Sequence, residues 1–231
     1  MSQLGTSRVR TRRRAAWIGA LVIWSVAAPM VRGDESLQVA VSTCGISETA
    51  MAAACVSAAE VHAAFASVRG SPELDELLGA RAAARSAEQS LITVKAAQDP
   101  LDADGASAIS DAEASVRCTR ASLDAAVEAL TTLLLSPLSE PQQLRLRAWR
   151  AAPAGLPPAL RVKAWTMEER QSLLAALLDE RLEQTQGGER NANSAALLKA
   201  VRASPELVEA QQCLSDAAGV IAAFRAEVSA P

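Results

Sequence analysis

The most regular feature of the chain is a seven-residue spacing of apolar side chains, which is typical of helices that pack side by side. It is clearest between residues 106 and 135, where two parallel rows run along one predicted helix. The first row is Ile109, Val116, Leu123 and Leu130, and the second is Ala112, Thr119, Ala126 and Leu133. This pattern predicts one long helix over residues 106–135.

Two helices are predicted before it. Apolar residues at three- and four-residue spacing predict a first helix that begins after the N-cap Ser47 and ends near Gly70. Ser71 and Pro72 then start a second helix, which Pro100 ends. Because the connecting turns are short, each helix should run antiparallel to the one before it. Residues 34–135 are therefore predicted to form a three-helix antiparallel segment.

The pattern changes after Leu135. Residues 136–165 read as a proline-rich basic connector that holds one short helix, capped by Ser139 with Gln142 three residues later. From Thr166, residues 166–231 return to helical patterns, and these C-terminal helices are expected to pack on the same bundle. Two apolar rows carry them: Leu173, Leu174, Leu177, Leu178 and Leu182, then Leu207, Leu214, Ile221 and Val228. The fold class predicted is all-α, an up-and-down helical bundle with long heptad-patterned helices.

The N-terminal residues have the order of a secretory signal. Five arginines between Arg8 and Arg14 precede seventeen uncharged residues, 15–31, and no acid occurs before Asp34. Cleavage near Gly33 would make residues 1–33 a signal peptide and release a periplasmic or secreted chain. The alternative is that residues 15–31 stay as an inner-membrane anchor, since their length lies at the short edge of a membrane span.

Removal of residues 1–33 changes the charge balance. Six of the 23 basic residues lie there and none of the 26 acidic ones, so the remainder has 17 basic and 26 acidic residues and a net charge of −9. A surface of that sign argues against nucleic acid as the partner, because phosphate binding needs a basic surface. The alanine content and the excess of arginine over lysine are typical of coding in a GC-rich bacterial genome.

Four cysteines in an exported chain predict two structural disulfides. If the first three helices are antiparallel, Cys55 and Cys118 lie at the same height, near Arg85 of the helix between them. We therefore expect a Cys55–Cys118 disulfide, which leaves Cys44 to pair with Cys213. The absence of any Cys-x-x-Cys spacing argues against a zinc site.

The connector carries a candidate surface for an anionic partner such as lipid headgroups or an acidic polymer. Between Pro141 and Met167 there are five basic residues, two tryptophans and no acid. The residues concerned are Arg145, Arg147, Arg150, Arg161, Lys163, Trp149 and Trp165. The alternative, which we favour, is that these cations lie against the acidic remainder of the protein and that the tryptophans fill the open end of the helical bundle.

One acidic loop partly matches a calcium-binding pattern. When aligned on Gly105, Asp102, Asp104 and Asp111 occupy ligand positions 3, 5 and 12 of an EF-hand loop, but Pro100 stands at position 1 and cannot bind the ion. An acid-rich turn that caps the third helix is the more economical interpretation. No metal or other cofactor is therefore predicted.

The sequence does not predict an enzyme. His62 is the single histidine, so neither a Ser-His-Asp triad nor a two-histidine metal site can be assembled within the chain. The chain also lacks the glycine-rich phosphate loops and nucleophile motifs of the common enzyme classes.

Leu138-Ser139-Glu140-Pro141-Gln142 resembles the LTxxQ motif of the Spy/CpxP-like periplasmic chaperones, with serine in place of threonine. The segment that starts at Trp165 is a second, poorer copy. The resemblance implies a small exported α-helical protein with a role in chaperoning or the stress response.

Two functions from different classes follow. The first is an exported, non-enzymatic helical protein that serves as a structural or protein-interaction component of the bacterial envelope. The second is a periplasmic chaperone-like or stress-response protein, which would expose a contiguous apolar patch. Binding to an anionic membrane surface through residues 145–163 is a third reading. Heptad rows serve internal packing and self-association equally, so the oligomeric state and the partner are left open.

Overall fold

The computed structural model describes residues 33–100, 102–186 and 191–229, with side chains from Ser36 onward, and the predicted signal peptide or anchor falls almost entirely outside these ranges. Within them the chain is all-helical, as predicted, and no strand occurs. One short 3₁₀ turn, Pro158–Leu160, lies between the sixth and seventh helices. The α-helices are α1 Gly33–Thr43, α2 Glu48–Ala53, α3 Ala58–Val68, α4 Pro72–Ala97, α5 Ala103–Leu135, α6 Glu140–Ala151, α7 Met167–Gln186, α8 Ala192–Arg202, α9 Pro205–Ser215 and α10 Ala218–Ser229.

Side-chain caps start several of these helices where the sequence predicts them. The Ser47 hydroxyl accepts the Ala50 N–H at 3.1 Å, and the Ser71 hydroxyl accepts the Leu74 N–H at 3.2 Å. Thr166 and Glu169 form the reciprocal pair of a capping box at the start of α7. These bonds satisfy N–H groups that have no partner inside the helix, and so they fix where α2, α4 and α7 begin.

Two predicted helices are each broken in two. The expected helix from Ser47 to Gly70 stops at Ala53, turns through Cys55 and restarts as α3 after Ser57. The expected last helix likewise divides into α9 and α10 on either side of Asp216. With α1, which precedes Ser47, the described part of residues 34–135 contains five helices instead of three.

Helix α1 is the element that the sequence interpretation overlooked. Its buried side chains Leu37, Ala40 and Val41, together with Cys44 just past its end, follow the three- and four-residue spacing of an amphipathic helix. The first and last helices share the core, because α10 packs on α1, α2 and α3 and α9 packs on α2. Phe65 of α3 and Phe224 of α10 meet edge to face at 5.2 Å between ring centres.

The outer parts of α4 and α5, residues 81–120, form a two-helix hairpin that we call the arm. Apart from each other, α4 packs on α1 and α5 packs on α3. The side chains that enter the core lie at the base of the hairpin, such as Leu77 on α4 and Leu130 on α5. Among the described arm residues, only Ala84, Gly105 and Val116 are buried. The arm is therefore held mainly by contacts between its own two helices.

None of the helices in the described ranges has the length and apolarity needed to cross a membrane. The candidate anchor at residues 15–31 lies outside those ranges.

The turn at the tip of the arm depends on Gly105. A Cβ at this position would overlap the backbone carbonyl oxygen of Asp99 and lie 3.1 Å from the carbonyl carbon. We expect Gly105→Ala to lower the free energy of unfolding by about 1–3 kcal/mol, because the backbone at the turn has to move. Urea unfolding measures the global effect, and hydrogen exchange in residues 95–110 measures the local one.

Gly79 provides the matched control on the same hairpin. It is helical, and a Cβ there would meet no atom within 4 Å. Gly79→Ala should therefore stabilise the protein by up to about 1 kcal/mol through helix propensity alone. A stabilising effect of Gly105→Ala equal to that of Gly79→Ala would show that the tip turn does not require glycine.

Candidate functional site

A disulfide ties the turn between α2 and α3 to α9. Cys55 is bonded to Cys213 across 158 residues of sequence, with the two Cα atoms 5.1 Å apart. Cys55 adopts a left-handed backbone conformation, with φ at +61°, which reverses the chain between the two helices. The disulfide therefore fixes a strained turn and an otherwise separate helix to each other.

Both predicted pairings, Cys55–Cys118 and Cys44–Cys213, are wrong, and one disulfide is found within the described residues instead of two. The prediction placed Cys55 in the middle of a continuous helix, at the height of Cys118. In the structure Cys55 lies in the turn between α2 and α3, outside the arm, whereas Cys118 is exposed on the arm part of α5. Cys44 directly follows α1 and faces α5, where its thiol lies 3.9 Å from the Val127 carbonyl oxygen.

The same turn is held by a small polar cluster in which two capping boxes meet. Ser57 and Glu60 cap α3, and Ser139 and Gln142 cap α6. The amide nitrogen of Gln142 donates to the Glu60 carboxylate and to the Cys55 carbonyl oxygen, both at 3.0 Å. The Gln142 side-chain oxygen accepts the Ser139 N–H at 2.9 Å. We call these residues the capping cluster.

Hydrogen bonds in the capping cluster stabilise the negative charge of Glu60, and its partial burial opposes them. The backbone N–H of Ser57 donates to Glu60 at 2.8 Å and is the main reason why the pKa of this carboxyl lies below its usual range. Bonds from the Ser57 hydroxyl and from Gln142 lower the pKa further, and partial burial opposes them. Gln142 itself is buried, so each of its polar atoms needs a partner.

A cavity of about 320 Å³ adjoins the disulfide. Most of its lining residues are apolar, and Asp216 is the one charged residue among them. The lining residues are Ala52, Cys55, Val56, Ser57, Ala58, Cys213, Asp216, Gly219 and Val220. Ser57 and Asp216 are the hydroxyl-bearing and the charged residue of this recess beside the disulfide.

The two remaining cysteines are free thiols in different surroundings. Cys44 is 1% exposed, and burial raises the pKa of its thiol, although a hydrogen bond to Thr131 and the charge of Arg150 oppose that shift. A buried neutral thiol is a poor nucleophile. Cys118 is exposed on the arm.

We expect a maleimide to modify Cys118 alone in the native, non-reduced protein. Cys44 should react only after the protein is unfolded, because its thiol is enclosed and protonated. Peptide mass spectrometry without reduction should find Cys55 and Cys213 in one cross-linked pair. Detection of Cys55 linked to Cys118, or reaction of Cys44 at the rate of Cys118, would contradict this assignment.

Arginines of the basic connector form ion pairs with acidic residues of other helices of the same chain. Arg145 pairs with Glu209, and Arg147 and Arg150 share Glu128 at 2.8 and 3.2 Å. Both arginines lower the pKa of Glu128, Arg147 most of all through its hydrogen bond. Three of the five cations of the candidate anionic-partner surface are therefore already paired.

The two tryptophans of the connector, Trp149 and Trp165, are buried and not exposed at the surface. The Arg161 guanidinium lies 4.1 Å from the Trp149 ring centre, and the Lys163 ammonium lies 4.6 Å from that of Trp165. The Trp165 indole N–H donates to the Leu160 carbonyl oxygen at 2.8 Å. These cation–π contacts and the burial favour a packing role for both rings.

The candidate calcium residues do not surround a common point. Helix α5 begins at Ala103, so Asp102 precedes it, Asp104 lies in its first turn and Asp111 lies about 10 Å further along the helix. An EF-hand needs a twelve-residue loop at this place. Within the described ranges, no group of three or more histidine, cysteine, aspartate or glutamate side chains is arranged to hold a metal ion.

His62 is partly exposed on α3 and contacts the Glu227 carboxylate through Nδ1. Arg69 binds the other oxygen of the same carboxylate at 2.7 Å. Glu227 belongs to α10, so these two contacts connect α3 to the C-terminal helix.

A comparison of the chain with protein-family models, with curated proteins and with solved structures finds no match.

Proposed function

We propose that this protein is an exported, non-enzymatic helical component of the bacterial envelope that acts through protein–protein contacts, and that the arm is its contact surface. The observation that carries the proposal is the burial pattern of α4 and α5. Both helices anchor in the core at their base, while the 81–120 hairpin exposes nearly all of its outward-facing side chains. A long hairpin with little burial of its own adds contact surface more than it adds stability.

The disulfide supports the export part of the proposal. Structural disulfides persist in oxidising compartments and are rare in the cytosol. Cys55 and Cys213 satisfy the distance requirement, with 5.1 Å between Cα atoms. The basic and apolar order of residues 8–33 supplies a route out of the cytosol.

The body of the protein supports a binding role over a catalytic one. The cavity beside the disulfide has mostly apolar walls, whereas an active site gathers several polar groups around one point. The single histidine contacts Glu227 at the surface between α3 and α10 and is not among the residues that line that recess. The polar groups of the capping cluster are used to hold helix ends together.

The test removes the arm and keeps the body. In the shortened variant, residues 86–120 are replaced by a glycine–serine linker of about four residues, which spans the 8–10 Å between packed helices. Leu74, Leu77 and Leu130 remain, so the body should keep its circular dichroism spectrum and its resistance to urea. We expect cross-linked complexes in the envelope fraction to form with the full chain and to be lost with this variant.

Recovery of the same complexes with the folded, arm-shortened variant would contradict the arm's role. The export part has its own readout. Cell fractionation should place the chain outside the cytosol with its N-terminus near Asp34 or with residues 15–31 retained in the membrane. A cytosolic chain with four reduced cysteines would contradict export.

A second candidate function, the chaperone-like one, is favoured by the exposed apolar row of α7. Met167, Leu178 and Leu182 are 68%, 61% and 53% exposed. Exposed apolar rows of this kind can bind unfolded chains. This function predicts suppression of aggregation of a reduced, unfolding test protein, and its loss in Leu178→Lys/Leu182→Lys but not in the arm-shortened variant. Equal suppression by both variants would contradict it.

A further inference from the structure

We propose that the disulfide between Cys55 and Cys213 is a reversible redox clamp. A small neutral or cationic thiol that enters the recess beside the disulfide opens it by thiol–disulfide exchange, and the opening releases α9 from the turn between α2 and α3. This inference goes beyond the proposed function, because it concerns the recess and α9 and does not involve the arm.

The recess gives a small thiol access to the disulfide. Cys55 and Cys213 are both half-buried, and both belong to the lining of this cavity of about 320 Å³. A cavity of that size has room for a thiol of about four or five non-hydrogen atoms, since one water molecule takes about 30 Å³ in the liquid. Exposed disulfides are the ones that exchange with thiols, whereas enclosed structural disulfides resist reduction.

The turn that carries Cys55 favours opening. Among the described residues other than glycine, only Cys55 has its backbone in the left-handed region, with φ at +61°. A residue with a side chain rarely adopts this conformation, and it persists where the surroundings enforce it. Cleavage of the disulfide removes one of these constraints, so relaxation of the turn favours the reduced state.

Helix α9 has a small share of the core apart from the disulfide. Its buried residues are Leu207 and Ala210, and it packs on α2, on the 3₁₀ turn and on α8. An ion pair from Glu209 to Arg145 of α6 adds a contact at the surface, where such pairs contribute little. Loss of the disulfide therefore leaves α9 with few stabilising contacts, as is typical of segments that open locally.

The exchange takes place in two steps. The thiolate of the first small thiol attacks the Sγ of Cys213 and forms a new S–S bond, while the original bond breaks and leaves its electron pair on the Sγ of Cys55. A second thiolate attacks the sulfur of the bound thiol, and Cys213 leaves as a thiolate. Two small thiols are thereby oxidised to their disulfide, and the two cysteines take up the two protons that these thiols release.

The surroundings favour Cys55 over Cys213 as the first leaving group. Cys55 precedes the N-terminus of α3, where the helix dipole stabilises negative charge, whereas Cys213 lies in the last turn of α9. The Arg145 guanidinium donates to the carbonyl oxygen of Ala54, next to Cys55, at 3.5 Å. Once protonated, the Cys55 thiol can donate to the Glu209 carbonyl oxygen, 3.9 Å from its sulfur.

Asp216 selects the charge of the thiol. It is the charged residue of the lining, and its carboxylate accepts hydrogen bonds from the neutral side chains of Gln212 at 3.2 Å and Ser215 at 3.3 Å. Neither partner neutralises the negative charge. Asp216 therefore attracts a cationic thiol such as cysteamine and repels an anionic one such as 2-mercaptoethanesulfonate.

The kinetics of reduction test whether the thiol reaches the disulfide in the folded protein, in a Cys118→Ser background. With cysteamine, we expect a rate proportional to the thiol concentration from about 1 to 50 mM, and a change of less than about twofold in 1 M urea. Reduction that requires global unfolding would instead become about tenfold faster in 1 M urea. That result would overturn the inference.

Gly219 allows the recess to be obstructed. It belongs to the lining, and a Cβ there would meet no atom within 4 Å. Gly219→Phe should slow the reduction at least about tenfold. Gly79→Phe is the matched control, because Gly79 is a helical glycine with the same free space that does not line the recess, and its reduction rate should not change. Equal rates in the two folded variants would rule out the recess as the route.

The charge preference has its own variant. Relative to their rates with a small model disulfide, cysteamine should reduce the protein at least about threefold faster than 2-mercaptoethanesulfonate at low salt. Asp216→Asn should remove this preference, whereas Asp124→Asn, at an exposed aspartate of α5 outside the lining, should keep it. A preference that Asp216→Asn leaves intact would show that Asp216 does not select the thiol.

Mass spectrometry identifies the sulfur that is attacked. Acid quenching during the reaction, followed by alkylation and peptide analysis, should find the small thiol bound to Cys213 and the alkyl group on Cys55. The opposite distribution would overturn the direction of attack.

The reduced protein tests the release of α9. Hydrogen exchange in residues 205–215 should become at least about tenfold faster on reduction. Cys44 is 1% exposed and reports on the rest of the fold, so a maleimide should modify Cys55 and Cys213 while Cys44 stays protected. Unchanged exchange in residues 205–215, or reaction of Cys44 at the rate of Cys213, would show that the disulfide is a structural cross-link and not a clamp.

Discussion

Replacement of Cys55 and Cys213 together by serine is expected to lower the free energy of unfolding by about 2–5 kcal/mol, the range typical for loss of a native disulfide. The disulfide closes a loop of 158 residues, so its removal gives the unfolded chain much conformational freedom. It also releases the turn between α2 and α3 from α9. Urea unfolding of the oxidised protein and of the variant, both with Cys118→Ser to prevent thiol exchange, measures the difference.

Reduction of the parent protein should produce the same loss and should leave the double-serine variant unchanged. The turn offers a further comparison. Because Cys55 has φ at +61°, glycine relieves strain there that serine keeps. Cys55→Gly/Cys213→Ser should therefore be about 1 kcal/mol more stable than Cys55→Ser/Cys213→Ser. An equal loss in Cys44→Ser/Cys118→Ser would refute the observed connectivity.

The helix starts could be predicted because each depends on a few adjacent residues. Ser47, Ser71 and Thr166 each satisfy the N–H three residues later, and that chemistry is visible in the sequence. The all-α class and the long helix α5 could be predicted for a similar reason. The apolar spacing over residues 109–133 requires one buried side, and every residue of its two rows is buried or half-buried.

The break at Cys55 could not be predicted from apolar spacing, because the row Met51, Ala54, Ala58 and Val61 passes through it without interruption. No glycine or proline marks the turn. The local signal was the capping box Ser57-x-x-Glu60, which predicts a helix start inside the expected helix. Once α3 begins at Ala58, the heights assumed for Cys55 and Cys118 no longer apply.

Long-range partners were the least predictable part of the site. Gln142 was recognised as the cap of its own helix, but its bonds to Cys55 and Glu60 span more than 80 residues. Such a contact requires the packing of α6 on α2, which the spacing along either helix does not specify. The sequence predicted that acidic residues would neutralise the basic connector, but it did not predict which ones. Glu128 and Glu209 are brought to the connector by two separate helices.

Gln142→Ala is expected to lower the free energy of unfolding by about 1–3 kcal/mol, through loss of the hydrogen bonds that connect the caps of α3 and α6. The substitution removes donors to the Cys55 carbonyl oxygen and the Glu60 carboxylate and leaves these partly buried acceptors without that partner. Gln143→Ala is the matched control, because the side-chain amide of Gln143 donates one hydrogen bond, to the Leu138 carbonyl oxygen at 2.8 Å. It should cost about 1 kcal/mol or less. Equal losses in the two variants would refute the role of the capping cluster.

The pH dependence distinguishes a charged cluster from simple packing. The pKa of Glu60 lies below its usual range, so the stability this carboxylate contributes is fully present above about pH 4.3 and is lost as the pH falls toward its folded pKa. Gln142→Glu places a second carboxylate at 3.0 Å, which raises the pKa of the pair. That variant should be destabilised at pH 7 and should recover as the pH falls toward 5, opposite to the parent. Glu60→Gln/Gln142→Glu should remove this inverted slope, because one carboxylate again faces one amide. Urea unfolding between pH 4 and 7 measures all three proteins, and parallel slopes for the parent and Gln142→Glu would show that Glu60 and Gln142 are not coupled.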